Sequence, residues 1–256
     1  MCLINFHWQD HDHYRLIVAA NRDEAYERPT AAAHFWQDHP FLLAGRDLLQ
    51  HGTWLGITKS GRFAALTNYR DPSITNKNLK SRGELVTNYL TSDMNPRDYL
   101  DIVHQENGHY AGFNLLVGSM STLYYYNNIE QTITHVSPGT HGLSNRFLNT
   151  PWPKVVKGKQ NLRSHVLGKR SIKPQALFDL LSDTEQALDD DLPETGIGLT
   201  LEKQLSPLFI QTPTYGTRSS TVLLIDRNNH VTFIERTYDK GNFSTETNFN
   251  FTIKKA

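Results

Sequence analysis

The chain has 256 residues, 38% hydrophobic and 11% aromatic, with 26 basic side chains balanced by 26 acidic ones. That length buries a sizeable core in one large domain or two small ones, and the neutral balance gives no sign of an obligatory nucleic-acid or anionic-membrane partner. A single cysteine excludes an internal disulfide framework and the zinc sites that need several thiolates.

No apolar run approaches the roughly 18 residues of a membrane span. The opening LINFHW gives way at once to QDHDH, without the basic and apolar regions of a secretory signal. The expectation is a cytoplasmic protein with no integral membrane association.

LINFHW and YRLIVAA read as two strands of a hairpin across QDHDH. A turn centred between His11 and Asp12 predicts Cys2 opposite Asn21 and close to Arg22, with the run Asn21, Arg22, Asp23 and Glu24 beside the chain start. TWLGIT and RFAALT follow around the turn KSG. Ser81-x-x-Glu84 reads as a capping box before the helix LVTNYL. Asn95 and Pro96 read as N-cap and first helical residue, with Tyr99, Ile102 and Val103 on one face.

AGFNLLVG, TLYYYNN and EQTITHV form a meander broken at Ser119 and at Asn127-Asn128. TPWPKVVKGKQNLRSHVL and KPQALFDLLSDT supply two helices, SSTVLLID and VTFIERTY a second hairpin around RNNH, and TNFNFTI a last strand. Hairpins with helices grouped between them predict an α+β fold of antiparallel sheets. There is no internal repeat or linker, only polar loops near residues 70 to 80 and 184 to 198, so one domain over residues 1–256 is the simplest organisation.

Cys2 is the residue that asks for a chemical explanation. Once an initiator methionine is removed, Cys2 carries both a thiol and an α-amine whose reference pKa is about 7.7 to 8.0, so nucleophile and general base share one residue. Arg22 would lower the thiol pKa and orient an acyl group, while Asp23 or Glu24 would bind the ammonium form of the amine. Asn68 in ALTNY and Asn145 in GLSN end strand-like runs and are candidate oxyanion donors, although asparagine at a strand end is more often a turn former. His11 and His13 form an HxH pair with no third ligand implied, so a solvated loop is the better reading and no metal is expected. The glycines match no phosphate-binding or dinucleotide pattern.

MC at the start, AANRDE at 19–24, AGRD at 44–47, GTWLGI at 52–57, TNYR at 67–70, SRGELV at 81–86, GFNLLVG at 112–118, GLSN at 142–145, PWPKV at 151–155 and YGTRSSTVLLI at 215–225 together resemble the NRDE family, also called the transport and Golgi organisation protein 2 family. The likeness is collinear over nearly the whole chain. That family resembles the N-terminal nucleophile hydrolases, which implies a four-layer αββα sandwich of antiparallel sheets.

On that resemblance Cys2 matches the nucleophile, Arg22 and Asp23 the arginine and aspartate that end the second strand, and Asn68 and Asn145 the oxyanion donors. Asn21, Glu24, Tyr69 and Arg218 fall in the binding motifs. In the acylases the arginine and aspartate stand three apart, whereas here they are adjacent, so Asn21 or Arg22 fits the first position and Asp23 or Glu24 the second. The implied activity is hydrolysis of an amide or thioester acyl substrate with no required cofactor. The alternative is a non-catalytic carrier of haem, for haem trafficking, or of an acyl lipid.

Overall fold

The structure is a computed structural model that describes residues 2–72 and 79–254, so the polar loop expected near residues 70 to 80 falls partly outside the described residues. The chain forms two compact units. Among the described residues, the first is built from residues 2–27 together with Ser137–Thr252, and the second from those of Arg28–Val136 together with residues 253–254.

The first unit holds an antiparallel sheet of β1 (Cys2–Trp8), β2 (Tyr14–Ala25), β10 (Gly139–Leu143), β11 (Tyr215–Asp226), β12 (His230–Asp239) and β13 (Asn242–Thr252), in the order β10-β1-β2-β11-β12-β13. Helices α3 (Pro153–Val166) and α4 (Pro174–Leu181) cover one face. Leu3, Ile17, Ala19, Val222 and Leu224 pack there with Leu162, Val166, Leu177 and Leu181. Strand alternation turns the other members of β1 (Cys2, Ile4, Phe6 and Trp8) to the opposite face. A short α5 (Leu199–Gln204) and a 3-10 turn at Asp189–Asp191 complete this unit.

The second unit holds β3 (Thr30–Phe35), β4 (Leu42–Asp47), β5 (Leu55–Thr58), β6 (Phe63–Asn68), β7 (Phe113–Gly118), β8 (Leu123–Asn127) and β9 (Thr132–His135), an antiparallel meander in chain order. Helices α1 (Gly83–Thr91) and α2 (Pro96–Gln105) bury Leu85, Val86, Tyr89, Leu90, Tyr99, Leu100 and Val103 against Leu66, Phe113, Leu115 and Val117. The α+β class and antiparallel sheets expected from the sequence are present. No helix among the described residues is long and apolar enough to cross a membrane.

Four local expectations need correction. The β1/β2 register places Cys2 opposite Arg22 and Leu3 opposite Asn21, one residue from the expected pairing. The cause is the turn: Gln9 adopts a left-handed φ of 52° and its N–H donates to Arg15 O at 2.8 Å, which moves the hairpin axis onto Asp12. A one-residue slip exchanges the faces of a whole strand.

The capping box does not form: α1 starts after Arg82 with no side-chain cap, and the Glu84 carboxylate instead accepts the Tyr110 hydroxyl at 2.6 Å. In α2 the Asn95 cap and Pro96 start are as expected, with Asn95 Oδ1 accepting the N–H of Arg97 and of Asp98, but Ile102 is 43% exposed. It lies roughly 110° round the helix from the centre of the buried arc of Pro96, Tyr99, Leu100 and Val103. Finally, His11 is buried rather than solvated.

Candidate functional site

β1 is flanked by β10 on one side and β2 on the other, so its first residue sits between two strand ends. Cys2 pairs with Arg22 of β2, and directly opposed residues of an antiparallel pair project to the same face. Glu24 follows on that face, its carboxylate 3.6 Å from the Arg22 guanidinium. On the other flank Ile4 pairs with Leu143, which carries Ser144 and Asn145 alongside the chain start. The Ser144 hydroxyl lies 3.1 Å from both Cys2 O and Asn145 Oδ1, and Asn145 is fully buried.

Cys2 is 8% exposed and Asp23 only 1%. Burial pushes the Cys2 thiol up, the Asp23 carboxylate adds to that, and the Arg22 guanidinium and the Asp23 N–H at the sulfur oppose it. Burial also pushes the Asp23 carboxyl up, against the Lys154 ammonium, the Thr217 hydroxyl and Arg22. Thr217 Oγ1 donates to Asp23 Oδ1 at 2.7 Å, and the Tyr215 hydroxyl donates to Asp23 O at 2.8 Å. Burial raises the Tyr215 phenol too, reinforced by Asp23 and Cys2. The thiol at rest is therefore neutral, and it needs a base to become a nucleophile.

Strand pairing explains how these groups meet. β2 runs five residues past YRLIVAA because β11 pairs along its whole length, from Asp226 opposite Tyr14 to Tyr215 opposite Ala25. The register breaks between Thr217 and Ser219, so Arg218 is the extra residue of a β-bulge, a device that re-aims side chains at strand ends. Arg218 Nη1 donates to Ala25 O and Tyr26 O at 2.9 and 2.8 Å, which ties off the end of β2.

Of the residues singled out from sequence, the structure brings Cys2, Arg22, Asp23, Glu24 and Asn145 together at this sheet edge. Asn21 is elsewhere: it faces the helices, where its amide donates to Leu181 O and Leu208 O at 2.9 and 2.8 Å and accepts the Ser220 hydroxyl at 2.6 Å. That full set of bonds makes Asn21 a brace between β2 and the segments after α4 and α5. Asn68 ends β6, opposite Phe113, and the buried Tyr69 rests on Gly112; both belong to the second unit. Lys154, Tyr215 and Thr217 were missed. A signal existed for Lys154, since Lys154, Gly158 and Leu162 recur at helical spacing and share the buried face of α3.

Among the described residues no group of three or more His, Cys, Asp or Glu side chains is placed to hold a metal ion. The buried histidines of the first unit do not fit an axial haem ligand, because both ring nitrogens of each are committed. His7 bonds Thr140 Oγ1 and Asp10 O, and His141 bonds Ser137 O and Asn149 Nδ2. His11 gives Nε2 to Val166 O and accepts the N–H of His13 and Tyr14 at Nδ1.

A family model described as Transport and Golgi organisation 2 matches residues 1–240. The chain belongs to this family. It is 41% identical over 256 residues to a Transport and Golgi organization protein 2 homolog of Bos taurus, covering 92% of each chain. It is 39% identical to the Homo sapiens homolog, covering 99% of this chain and all of the relative. Among solved structures, the Caenorhabditis elegans N-acylethanolamine-hydrolyzing acid amidase ortholog is similar with a TM-score of 0.54 at 10% identity, over 87% of this chain and 92% of that one. At that identity the likeness shows an N-terminal nucleophile hydrolase-like fold, and the fold alone.

Proposed function

We propose that this member of the family is an acyl hydrolase whose nucleophile is Cys2, exposed as an N-terminal cysteine by removal of Met1, and whose substrate is an amide or thioester. The observation that carries this reading is the placement of the chain's sole cysteine at the start of β1, opposite Arg22 and one hydroxyl from the buried Asn145. The freed amine of Cys2 takes the thiol proton as sulfur attacks the acyl carbon, then delivers it to the leaving amine or thiolate. The resulting thioester is hydrolysed by water, with the same amine as base. Arg22 favours the thiolate and Asn145 is the donor to the oxyanion. The raised thiol pKa supports this division of labour, because a neutral thiol gains most from a base built into the same residue.

Intact mass and turnover test the reading together. The expected results are loss of one methionine and a fall of at least about a thousand-fold in hydrolysis of long-chain acyl amides and thioesters in Cys2→Ala. Retained Met1, or undiminished turnover in Cys2→Ala, would sink it. Titration with haem and with an acyl-coenzyme A then asks whether the fold serves as a carrier, with saturable one-to-one binding as the positive result.

A further inference from the structure

The chain's overall neutrality conceals a segregation of charge. Seven of its 26 basic side chains fall between Lys154 and Lys173, where no acidic one occurs, and seven of its 26 acidic side chains fall between Asp179 and Glu194, where no basic one occurs. Lys157 answers across this boundary, its ammonium 2.5 Å from the carboxylates of both Asp183 and Glu185. Lys154 is buried, and Lys159 donates to Asn149 Oδ1 at 3.1 Å. Arg163, Lys169, Arg170 and Lys173 remain: all four are exposed, and among the described residues none of them forms an ion pair.

These four cations sit on one turn. α3 is closed at Leu167, whose N–H donates to Arg163 O at 3.0 Å; Gly168 takes a left-handed φ of 68°, and the Lys169 N–H returns to Val166 O at 3.2 Å. The buried Ile172, its N–H on the Tyr14 hydroxyl at 3.3 Å, fastens the far side of the turn. At the apex Leu167 is 44% exposed, and a Cβ on Gly168 would meet nothing within 4 Å. The adjoining β1–β2 hairpin, held by His11 Nε2 on Val166 O, brings the exposed Asp10 and Asp12, and with them Arg227, which donates to His11 O and Asp12 O. The cations still exceed the carboxylates. Helix stability explains Arg163, in the last turn of α3, but not Lys173: it is the N-cap of α4, makes no side-chain cap there, and meets the positive end of the macrodipole.

We propose that this turn is a docking face for an anionic lipid membrane: Arg163, Lys169, Arg170 and Lys173 meet the charged headgroups, and Leu167 enters the acyl boundary between them. A basic patch and a small apolar insertion are each weak anchors, and together they give reversible attachment without a spanning helix. The exposed leucine at the apex favours a bilayer over a nucleic acid, whose phosphates offer it nothing and whose bases would call for exposed aromatic rings, of which residues 163–173 have none. The turn lies by the far end of the β1–β2 hairpin from Cys2, so the inference stands apart from the hydrolase reading and is tested without turnover.

Flotation of the full chain with vesicles measures the attachment. Vesicles of three parts phosphatidylcholine to one part phosphatidylserine should carry the protein upward at low salt and release it as salt screens the cations, while vesicles of phosphatidylcholine alone should leave it behind. Each cation near the surface strengthens partition by about five-fold, so Lys169→Gln combined with Arg170→Gln is expected to weaken it by about 25-fold. Leu167→Ser should weaken it several-fold and leave the salt dependence as it was. Lys240→Gln, on the turn between β12 and β13, should change nothing. Lys173→Ser separates docking from folding, because it supplies an N-cap and removes an opposed charge: thermal stability should rise while partition falls by about five-fold. No flotation with the anionic vesicles, equal partition onto both kinds, or an unmoved partition in the Lys169 and Arg170 double variant would overturn the proposal, as would tighter binding to a single-stranded oligonucleotide than to the anionic vesicles. Should the double variant not fold, Lys173→Ser carries the decision, and undiminished partition in that variant overturns the proposal.

Discussion

The two units each bury a set of polar side chains in a sheet, and the sets differ in kind. In the second unit Asn114 is the hub: its amide donates to Thr67 Oγ1 at 3.0 Å, while its Oδ1 accepts Tyr125 OH and Asn127 Nδ2, both at 2.7 Å. These are neutral groups on adjacent strands, each bonded to the next. In the first unit the set is Cys2, Arg22, Asp23, Lys154 and Tyr215, where burial raises the pKa of a thiol, a carboxyl and a phenol. A closed neutral network contributes rigidity and strand register; a buried set of charges held in mutual tension is what chemistry requires and stability does not.

Perturbed ionisation by itself does not make the distinction. In the second unit burial pushes the Tyr89 phenol up to about 12, and its hydroxyl simply donates to Gly118 O at 2.9 Å. What differs in the first unit is that the shifted groups act on one another, and that one of them is a thiol.

The largest effect expected from this contrast is at Asn114. Asn114→Ala removes the acceptor of the Tyr125 hydroxyl, one of the two acceptors of the Asn127 amide and the donor to Thr67 Oγ1, and a loss of about 3 kcal/mol is expected by denaturant titration. Asn5 supplies the control, since it is equally buried but its amide has no hydrogen-bond partner among the described residues. Asn5→Ala should therefore lie within about 1 kcal/mol of the parent. Equal losses at Asn5 and Asn114 would break the distinction between a bonded and an unbonded amide.

Next in size is Gly158. A Cβ placed there would meet the Asn5 amide at 2.6 Å, so Gly158→Ala forces α3 off the sheet and is expected to cost about 2 kcal/mol. Because Lys154 lies one turn away on the same helix, this variant also sharpens the comparison. The pH profile of alkylation of Cys2, the sole cysteine, by iodoacetamide should move with it if the first unit's charges depend on the seating of α3, whereas the Asn114 variant should leave that profile in place.

How much of this was legible in the sequence follows from which forces set each feature. Hairpins with alternating apolar residues, such as RFAALT or VTFIERTY, declare themselves through periodicity. The Asn95-Pro96 helix start is chemistry local to two residues. GTHGL, TAAAHF and LLAGRD carry little strand propensity of their own and become β10, β3 and β4 through pairing with neighbours that no local pattern reveals. The register of Cys2 turned on a glutamine in a left-handed conformation, a backbone choice that glutamine does not advertise. The cluster at the start of β1 was legible where residue type and hairpin pairing single residues out, as at Cys2, Arg22 and Asp23. Lys154 was not legible, because its burial is set by how α3 packs and lysine does not declare it.

The smallest effect expected is a pH dependence, and its sign separates the histidines from Asp23. His11 and His141 have pKa values lowered by burial, and His11 Nδ1 already faces two N–H donors, so protonation would set donor against donor. With folded values below the unfolded value near 6.5, the unfolded chain binds more protons in that window. Their contribution is therefore complete above about pH 6.5 and is lost as pH falls through the folded values, by at most about 1.4 kcal/mol per pH unit for each proton taken up.

Asp23 works in the opposite sense. Its folded value is raised, so its contribution is present below the unfolded value near 3.8 and is lost as pH rises through the folded one. Acidification thus protonates Asp23 with a gain while protonating the histidines with a loss. Asp47 and Asp226, whose values are lowered, lose their contributions only as pH falls below about 3.8. Thermal unfolding followed from neutral pH into acid should accordingly show a shallower acid loss in the parent than in Asp23→Asn over the range in which Asp23 takes up its proton, because there the offsetting proton is gone. Identical slopes would mean that Asp23 takes up no proton in that range.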